Sequence, residues 1–355
     1  MKFCELIEGK QEYRLSFIGG SITYGSGSSD ITEGKTKRYS SLFTKMIGNA
    51  HKDVKFTEIN SSVGGTPSSF GLFRLKSEIL DLNPDFLFIE YAVNDTGDYL
   101  TMPKYFEAII RTARRWNPKL PICVLFAYSK ELVSYFEGKD SHYPIEIQSK
   151  IAKAYGIPTI NMGYDMWQRM IDYGGDFLNF TIDNVHPNDA GYACYVDTMM
   201  REIHKADFGF DFPQEPITGR EFTNPGIYAC QDHPIPEGWL LSTKTLWENP
   251  LKYIHTDTPG VTYEMSFEGT AFALMTRMEK DGGMVEVWID GKFIKKTPFW
   301  DRHSLFFDRN AFDLVTDKLE YGRHDVLIKV LDEKPSSPEG HSEGHVIRIA
   351  AMLYA

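Results

Sequence analysis

The sequence has little cysteine and no long apolar segment. Its four cysteines are far apart and include no CxxC pair, which argues against a disulfide framework and a zinc site. No run approaches the roughly 18 apolar residues of a membrane helix, so we expect no segment that crosses a bilayer. There is no internal repeat, and the only low-complexity tract is the polar segment 334–344.

Basic residues are outnumbered by acidic ones. Lysine and arginine number 38 against 49 aspartates and glutamates, and most of the net charge of −11 lies in residues 206–355. Because an acidic surface repels phosphate groups, neither nucleic acid nor a membrane is an expected partner. The sequence does not indicate an oligomeric state.

The first 14 residues also lack the apolar stretch of about 7–15 residues that a signal peptide contains. Glu5, Glu8 and Lys10 interrupt this segment, and we therefore expect a cytoplasmic protein. The remaining composition, with 42% hydrophobic and 25% charged residues, is typical of a soluble globular protein. A length of 355 residues corresponds to about two domains.

Residues 1–206 contain alternating strand and helix patterns. Strands are predicted at 14–18, 54–59, 85–91, 120–127 and 157–161, and helices at 70–82, 104–116 and 145–155. Several strands are continuously apolar, which strands covered on both faces require. Gly156 is placed to cap the last of these helices. The pattern predicts a three-layer α/β/α domain around a five-stranded parallel sheet.

A different pattern follows residue 206. Five prolines within residues 207–237 predict a connector over the surface. Residues 238–355 then carry strand-like runs at 261–267, 270–277, 284–290, 324–331 and 346–353, and Asp290-Gly291 indicates a hairpin. We expect a C-terminal all-β jelly-roll sandwich that resembles a carbohydrate-binding module.

Ser21 follows the first predicted strand in the sequence Gly19-Gly20-Ser21. A serine at the carboxyl end of a parallel strand lies where open α/β sheets bind ligands, and the two glycines permit a sharp turn. A serine nucleophile needs a base and a carboxylate that orients the base. Asp183 and His186, three residues apart, provide both. The alternatives are a serine helix cap, an aspartate that binds backbone amides and a surface histidine.

Gly65 and Asn94 follow the second and third predicted strands, and so are expected at the same sheet edge as Ser21. An acyl-transfer transition state needs hydrogen-bond donors for its oxyanion. The backbone N–H groups of Ser21 and Gly65 and the side-chain amide of Asn94 would supply three. For each residue the alternative is an ordinary turn at a strand end.

Together these segments resemble the four sequence blocks of the SGNH (GDSL-type) hydrolase superfamily. They read GGSITYG, NSSVGGTPSSFG, EYAVND and DNVHPNDAGY, in that order. The resemblance implies a flavodoxin-like fold and a serine esterase without cofactor or metal. It also implies Ser21 as nucleophile, His186 as base and acid and Asp183 as its orienting group, with Ser21, Gly65 and Asn94 as the oxyanion hole.

Two positions depart from the family pattern. Gly20 stands where the family has aspartate before the serine, and Val93 stands where it has glycine before the asparagine. Neither change removes a catalytic group. We expect the first to alter the order of the loop and the second to narrow the pocket beside the oxyanion hole.

The combination of an SGNH domain with a sandwich resembles bacterial carbohydrate O-acetylesterases, including those acting on mannan oligosaccharides. It implies that the substrate is an acetylated oligosaccharide derived from plant polysaccharide. An acyl-thioester or lysophospholipid hydrolase is one alternative, and a carbohydrate-binding protein with an inactive hydrolase domain is another. A structural Ca²⁺ in the sandwich is a further open possibility.

Sugar rings stack on aromatic side chains, and the second domain offers Trp239, Trp247, Trp288 and Trp300. Trp288 alternates with apolar residues and is expected on the outer face of a strand. Trp300 lies in a polar loop and is the better candidate for contacting substrate. For each of them, however, packing in the core or a contact between the domains is the more common role.

Overall fold

The computed structural model describes residues 1–96, 100–220, 222, 224–246 and 249–355. They form two compact units, Met1–Glu221 and Phe222–Ala355, so the division falls inside the segment predicted as a connector. Within these described residues, no helix has the length and apolar character needed to cross a membrane.

The first unit is built around a parallel sheet. Its strands are β1 (Glu12–Gly19), β2 (Lys55–Ser62), β3 (Phe86–Glu90), β4 (Ile122–Phe126) and β5 (Thr159–Asn161), in the order β2-β1-β3-β4-β5. Every residue of β3 and β4 is buried, because helices cover both faces of the sheet. The five-stranded parallel sheet predicted from the sequence is confirmed.

Helices connect these strands and form the two outer layers. They are α1 (Phe3–Ile7), α2 (Ser21–Tyr24), α3 (Tyr39–Ala50), α4 (Ser68–Glu78), α5 (Met102–Trp116), α6 (Val133–Phe136), α7 (Tyr143–Ala154), α8 (Met162–Asp172) and α9 (Asp189–Ile203). α3 and α8 pack against α9, whereas α4 and α7 pack against α5. Gly156 follows α7 with φ of +64°, which confirms the predicted cap.

The register of the sheet brings three strand ends together. Gly19, the last residue of β1, lies opposite Ser62 at the end of β2 and opposite Glu90 at the end of β3. The segments that follow these three strands therefore leave the sheet at one edge, which is where open α/β sheets bind their ligands.

The second unit consists of antiparallel sheets. Its strands are β6 (Gly226–Ala229), β7 (Leu240–Leu246), β8 (Asn249–Thr256), β9 (Thr262–Gly269), β10 (Phe272–Met278), β11 (Met284–Ile289), β12 (Lys292–Pro298), β13 (Arg309–Thr316), β14 (Gly322–Val330), β15 (Ser336–Ser337), β16 (Gly340–His341) and β17 (Ile347–Tyr354). One sheet has the order β13-β10-β17-β8-β7, with β6 also paired to β17, and another has the order β12-β11-β14-β9. β15 and β16 form a separate two-stranded sheet.

Buried side chains of the two large sheets meet in one apolar core. Leu274 and Met352 belong to the first sheet, and Val287 and Ile328 to the second. The predicted all-β sandwich is confirmed. The predicted hairpin at Asp290-Gly291 is also confirmed, since both residues have positive φ, 52° and 73°, between β11 and β12.

Seven strands of this unit were not predicted from the sequence, namely β6, β7, β8, β12, β13, β15 and β16. β12, β13 and β7 lie at the edges of their sheets. Edge strands are often polar or charged, as the lysines of β12 illustrate, so they lack the apolar pattern of a central strand.

The tryptophans of the second unit differ in exposure. Trp239 and Trp300 are buried, with 4% and 2% exposure, so both rings pack inside the protein, and Trp300 does not offer its ring to a substrate. Its loop packs the ring inward. Trp288 is only half-buried and lies on the outer face of β11, as predicted. Trp247 lies outside the described residues.

Candidate active site

Three predicted residues form a continuous hydrogen-bonded chain at the sheet edge. His186 Nε2 lies 2.9 Å from Ser21 Oγ, and His186 Nδ1 lies 2.7 Å from Asp183 Oδ2. Ser21 and His186 are half-buried and Asp183 is exposed. Residues separated by more than 160 positions in sequence are therefore brought within hydrogen-bonding distance by the order of the strands.

The turn that carries Ser21 depends on two glycines. A Cβ at Gly19 would overlap Thr23 Oγ1 and would lie 2.7 Å from the backbone oxygen of Glu90. A Cβ at Gly20 would lie 2.9 Å from Asn94 Oδ1. Glycine at position 20 thus allows the Asn94 side chain to pack directly against the residue before Ser21, which accounts physically for this departure from the family pattern.

The loop that carries His186 is ordered mainly by Asp183. Its carboxylate accepts hydrogen bonds from the backbone N–H groups of Val185 and His186, at 2.8 and 2.7 Å, and from the His186 ring. Partial burial alone would raise the pKa of Asp183, but these hydrogen bonds lower it below its ordinary value. The carboxylate therefore stays charged and can hold one ring orientation of His186.

Contacts that the sequence did not reveal join the serine turn to the histidine loop. Tyr192, in the first turns of α9, places its hydroxyl 3.0 Å from the oxygen of Ile22 and 2.9 Å from that of Ser26. Asp189 accepts hydrogen bonds from both the N–H and the hydroxyl of Ser29, each at 2.8 Å. These contacts fix the position of the nucleophile turn relative to its base.

The segments that contain the predicted oxyanion residues lie next to the serine turn. Gly65 is exposed and has φ of +70°, and a Cβ at the preceding Gly64 would lie 3.6 Å from Ser21 Cβ. The N–H of Val63 binds the oxygen of Gly19 at 3.2 Å, so this segment remains beside the serine turn. The structure thus brings Ser21, Gly65 and Asn94 to one place.

A buried carboxyl group connects the two oxyanion segments. Asp95, next to Asn94, is 3% exposed. It accepts a hydrogen bond from Ser68 N at 2.8 Å, in the first turn of α4 that follows Gly65, and another from Gln148 Nε2 at 2.9 Å. Burial raises its pKa to about 7. A charged residue immediately after Asn94 was visible in the sequence, but its partners were not.

A second buried carboxyl group lies beneath the serine turn. Glu90 is 1% exposed, and its Oε2 accepts a hydrogen bond at 3.1 Å from Thr23, whose hydroxyl also contacts Tyr39 at 2.8 Å. Burial raises the pKa of Glu90 to about 7 although the bond from Thr23 opposes this, and the nearby Asp95 raises it further. Among the described residues, Glu90 Oε1 has no hydrogen-bond partner.

This arrangement has the groups that acyl transfer needs. A hydroxyl lies beside a ring nitrogen that can take its proton, a carboxylate orients that ring, and the segments that carry Gly65 and Asn94 adjoin the serine turn, as acyl transfer requires. In the described part of the chain, no cluster of His, Cys, Asp or Glu could hold a metal ion.

A profile of the GDSL-like lipase/acylhydrolase family matches residues 17–194, half of the chain. This range contains every residue of the candidate site. No curated protein matches the chain in sequence.

Two solved structures match nearly the whole chain. A two-domain esterase active on acetylated mannans, co-crystallised with mannopentaose, is 19% identical with a TM-score of 0.77, over 99% of this chain and 92% of that one. Another structure of a two-domain esterase active on acetylated mannans is 18% identical with a TM-score of 0.76, over 99% and 93%. At these identities the likeness concerns the fold.

Two substitutions of Asp95 distinguish the effect of its hydrogen bonds on activity from the effect of its charge. Asp95→Ala leaves Ser68 N and Gln148 without their acceptor, and we expect kcat for a small acetyl ester to fall about 10- to 100-fold as Asn94 shifts. Asp95→Asn should keep most of the activity. If the Gln148 side-chain amide rotates by half a turn, its Oε1, which has no partner among the described residues, can accept a hydrogen bond from the amide that this substitution introduces. Steady-state kcat and KM, with circular dichroism as a check on folding, measure this. Full kcat in Asp95→Ala would exclude a positioning role.

Glu90→Gln should change how stability depends on pH. The pKa of Glu90 is about 7 when folded and its ordinary value is 4.5, so the unfolded chain loses this proton first as pH rises. The folded state is thereby destabilised progressively between these values, by up to about 3 kcal/mol above pH 7. Melting temperatures from about pH 5 to pH 8 should shift in favour of Glu90→Gln as pH increases. A difference between variant and parent that does not change with pH contradicts this assignment.

Proposed function

Since this chain belongs to the GDSL-like lipase/acylhydrolase family and is a carboxylic ester hydrolase, we propose that it removes O-acetyl groups from oligosaccharides of plant polysaccharides, with acetylated mannan as the first candidate. We further propose that Ser21, His186 and Asp183 carry out the reaction through an acyl-enzyme. The observation that carries the mechanism is the hydrogen-bonded chain from Ser21 Oγ through His186 to Asp183.

In the first step, Ser21 Oγ attacks the acetyl carbonyl carbon while His186 Nε2 accepts the hydroxyl proton. Asp183 holds the imidazole through its Nδ1–H and stabilises the positive charge that forms on the ring. The oxyanion accepts hydrogen bonds from the N–H groups of Ser21 and Gly65 and from the Asn94 amide. The bond to the sugar oxygen then breaks, and that oxygen takes the proton from His186.

In the second step, a water molecule attacks the acetyl-serine. His186 accepts one proton of the water, and the same three donors bind the new oxyanion. When the bond between the acetyl carbon and Ser21 Oγ breaks, the proton passes to Ser21 and acetate leaves. One ester and one water are thus converted to one alcohol and one acetic acid, which ionises to acetate and a proton, and the enzyme is restored.

The choice of an acetylated sugar is supported by architecture and by chemistry. The solved structures that match both units of the chain come from esterases active on acetylated mannans. An acetyl group is small and requires little of the apolar pocket that a long acyl chain needs. An acidic protein is also compatible with a neutral polysaccharide, which carries no charge to be repelled.

One feature favours a long-chain acyl substrate as the second candidate. Ile182, directly before Asp183, is 58% exposed, and Leu178 in the same loop region is 55% exposed. Apolar side chains beside an esterase site can bind an acyl chain, as in a thioester or lysophospholipid hydrolase. A carbohydrate-binding protein without catalysis is less favoured, because Ser21, His186 and Asp183 are all present and hydrogen-bonded.

Acetate release from acetylated mannan oligosaccharides tests the proposal, with acetylated xylan oligosaccharides and long-chain nitrophenyl esters alongside. Ser21→Ala should lower kcat by roughly 10³- to 10⁶-fold without unfolding the protein.

Asn94→Ala should lower kcat by roughly 10²- to 10³-fold, as expected for a lost oxyanion donor. Asn117→Ala is the matched control, because Asn117 precedes β4 at the opposite sheet edge, and its activity should equal that of the parent.

The outcomes separate the candidates. Acetate from either sugar substrate that disappears in Ser21→Ala supports the carbohydrate esterase, whereas turnover of long-chain esters alone supports the acyl hydrolase. Full kcat in Asn94→Ala would remove that residue from the oxyanion hole.

A further inference from the structure

The second unit has a groove on the outer face of its four-stranded sheet that the catalytic mechanism does not use. The groove has a volume of about 780 Å³ and is lined by strands β9, β11 and β14. This volume lies within the range of about 300–1,000 Å³ that is usual for ligand sites. Its lining includes Trp288, Leu327 and four charged residues, Glu264, Glu286, Asp325 and Lys329.

The strand register explains why these side chains lie together. Trp288 of β11 is opposite Leu327 of β14, which is opposite Glu264 of β9. Phe293 of β12 is opposite Trp288 on the other side. One row across the sheet therefore consists of two aromatic rings, an aliphatic side chain and a carboxylate. In the next row, Glu286 lies opposite Lys329.

Trp288 is held on the outer face by its neighbours. Val287 and Ile289, which flank it in sequence, are buried in the core, so alternation along the strand directs the indole outward. Phe293 packs edge-on against it, with ring centroids 5.6 Å apart and planes inclined by 69°. The indole N–H donates to Glu286 Oε2 at 3.3 Å. An oriented and half-exposed indole is a suitable platform for a flat ligand.

The charged groups around this ring have few partners within the protein. Neither Glu264 nor Lys329 forms an ion pair or a side-chain hydrogen bond with another residue of the described part of the chain. Glu286 binds only the indole N–H of Trp288 within that part. Two carboxylates and one ammonium group thus remain available to a ligand.

The combination of groups selects the chemistry of the ligand. Lys329 and Arg323, which lies 3.8 Å from Asp325, offset two of the three carboxylates Glu264, Glu286 and Asp325, so the groove has no excess of positive charge that would attract an anion. A protein partner with an apolar surface would strip water from these charges without replacing their hydrogen bonds, which is costly. A sugar ring satisfies both parts of the groove, because its C–H face stacks on the indole while its hydroxyls donate to the carboxylates and accept from the ammonium group.

We propose that this groove is a binding site for the neutral backbone of a polysaccharide, with Trp288 as its platform. The site would hold the polymer independently of the chemistry at Ser21 and raise the effective concentration of acetyl esters near the enzyme. The inference rests on the proposed function only in the class of ligand, a neutral polysaccharide.

Binding is tested in the full chain carrying Ser21→Ala, so that catalysis does not consume substrate. Its retention is measured by affinity electrophoresis in gels containing deacetylated glucomannan or xylan, and dissociation constants are measured by calorimetry with the matching oligosaccharides. Adding Trp288→Ala should weaken binding about tenfold or more, and Trp288→Phe should retain part of it. Tyr321→Ala is the matched control, because Tyr321 is an exposed aromatic residue before β14 outside the groove, and its binding should be unchanged.

Esterase assays distinguish failure of this inference from failure of the proposed function. With Ser21 intact, Trp288→Ala should hydrolyse nitrophenyl acetate as the parent does but release acetate more slowly from polymeric acetylated glycan. If binding depends on Trp288 but no glycan releases acetate, the groove is a polysaccharide-binding site and the proposed substrate is refuted. The inference is overturned if the parent binds neither polymer, or if Trp288→Ala binds as tightly as the parent.

Discussion

The backbone at Gly19 passes so close to Thr23 and to the backbone oxygen of Glu90 that a side chain there would overlap them, and a side chain at Gly20 would press on the Asn94 side chain. The rest of the candidate site depends on this close approach. It allows β1 to end directly opposite the ends of β2 and β3, so that Ser21, Gly65 and Asn94 emerge side by side. It also lets the Asn94 amide lie against the serine turn. Hydrogen bonds of Tyr192 and Asp189 then hold the loop of Asp183 and His186 next to this turn.

Two buried carboxyl groups support this edge from below. Glu90 binds the turn of Ser21 through Thr23, and Asp95 joins the segment of Asn94 to the helix that follows Gly65. Burying such groups costs free energy when they are charged, and their pKa values of about 7 reflect that cost. A site that must hold donors at fixed positions is commonly maintained at some expense of stability.

The sequence predicted the parts of the molecule that local patterns determine. The five parallel strands have continuous apolar runs, and the hairpin at Asp290 has its characteristic dipeptide, so both were found. The edge strand β12 was not predicted, because its lysines remove the alternation of apolar and polar residues that indicates a strand.

Ser21, Asp183 and His186 were recognised in the sequence by residue type and spacing. The supporting contacts of Tyr192 and Asp95 were not, because partners such as Ser68 and Gln148 are distant in sequence. Trp300 was named as the best candidate for a sugar contact but is buried, since a polar loop does not reveal which way its ring packs.

Whether His186 activates Ser21 as a nucleophile is tested most directly by covalent labelling with a fluorophosphonate, which reacts with serines activated by a neighbouring base. Intact-protein mass spectrometry and peptide mapping would locate and count the adducts. We expect a single adduct, on Ser21, that forms rapidly in the parent and far more slowly in His186→Ala. An adduct on another residue, or equal rates of labelling at Ser21 in the parent and in His186→Ala, would contradict it.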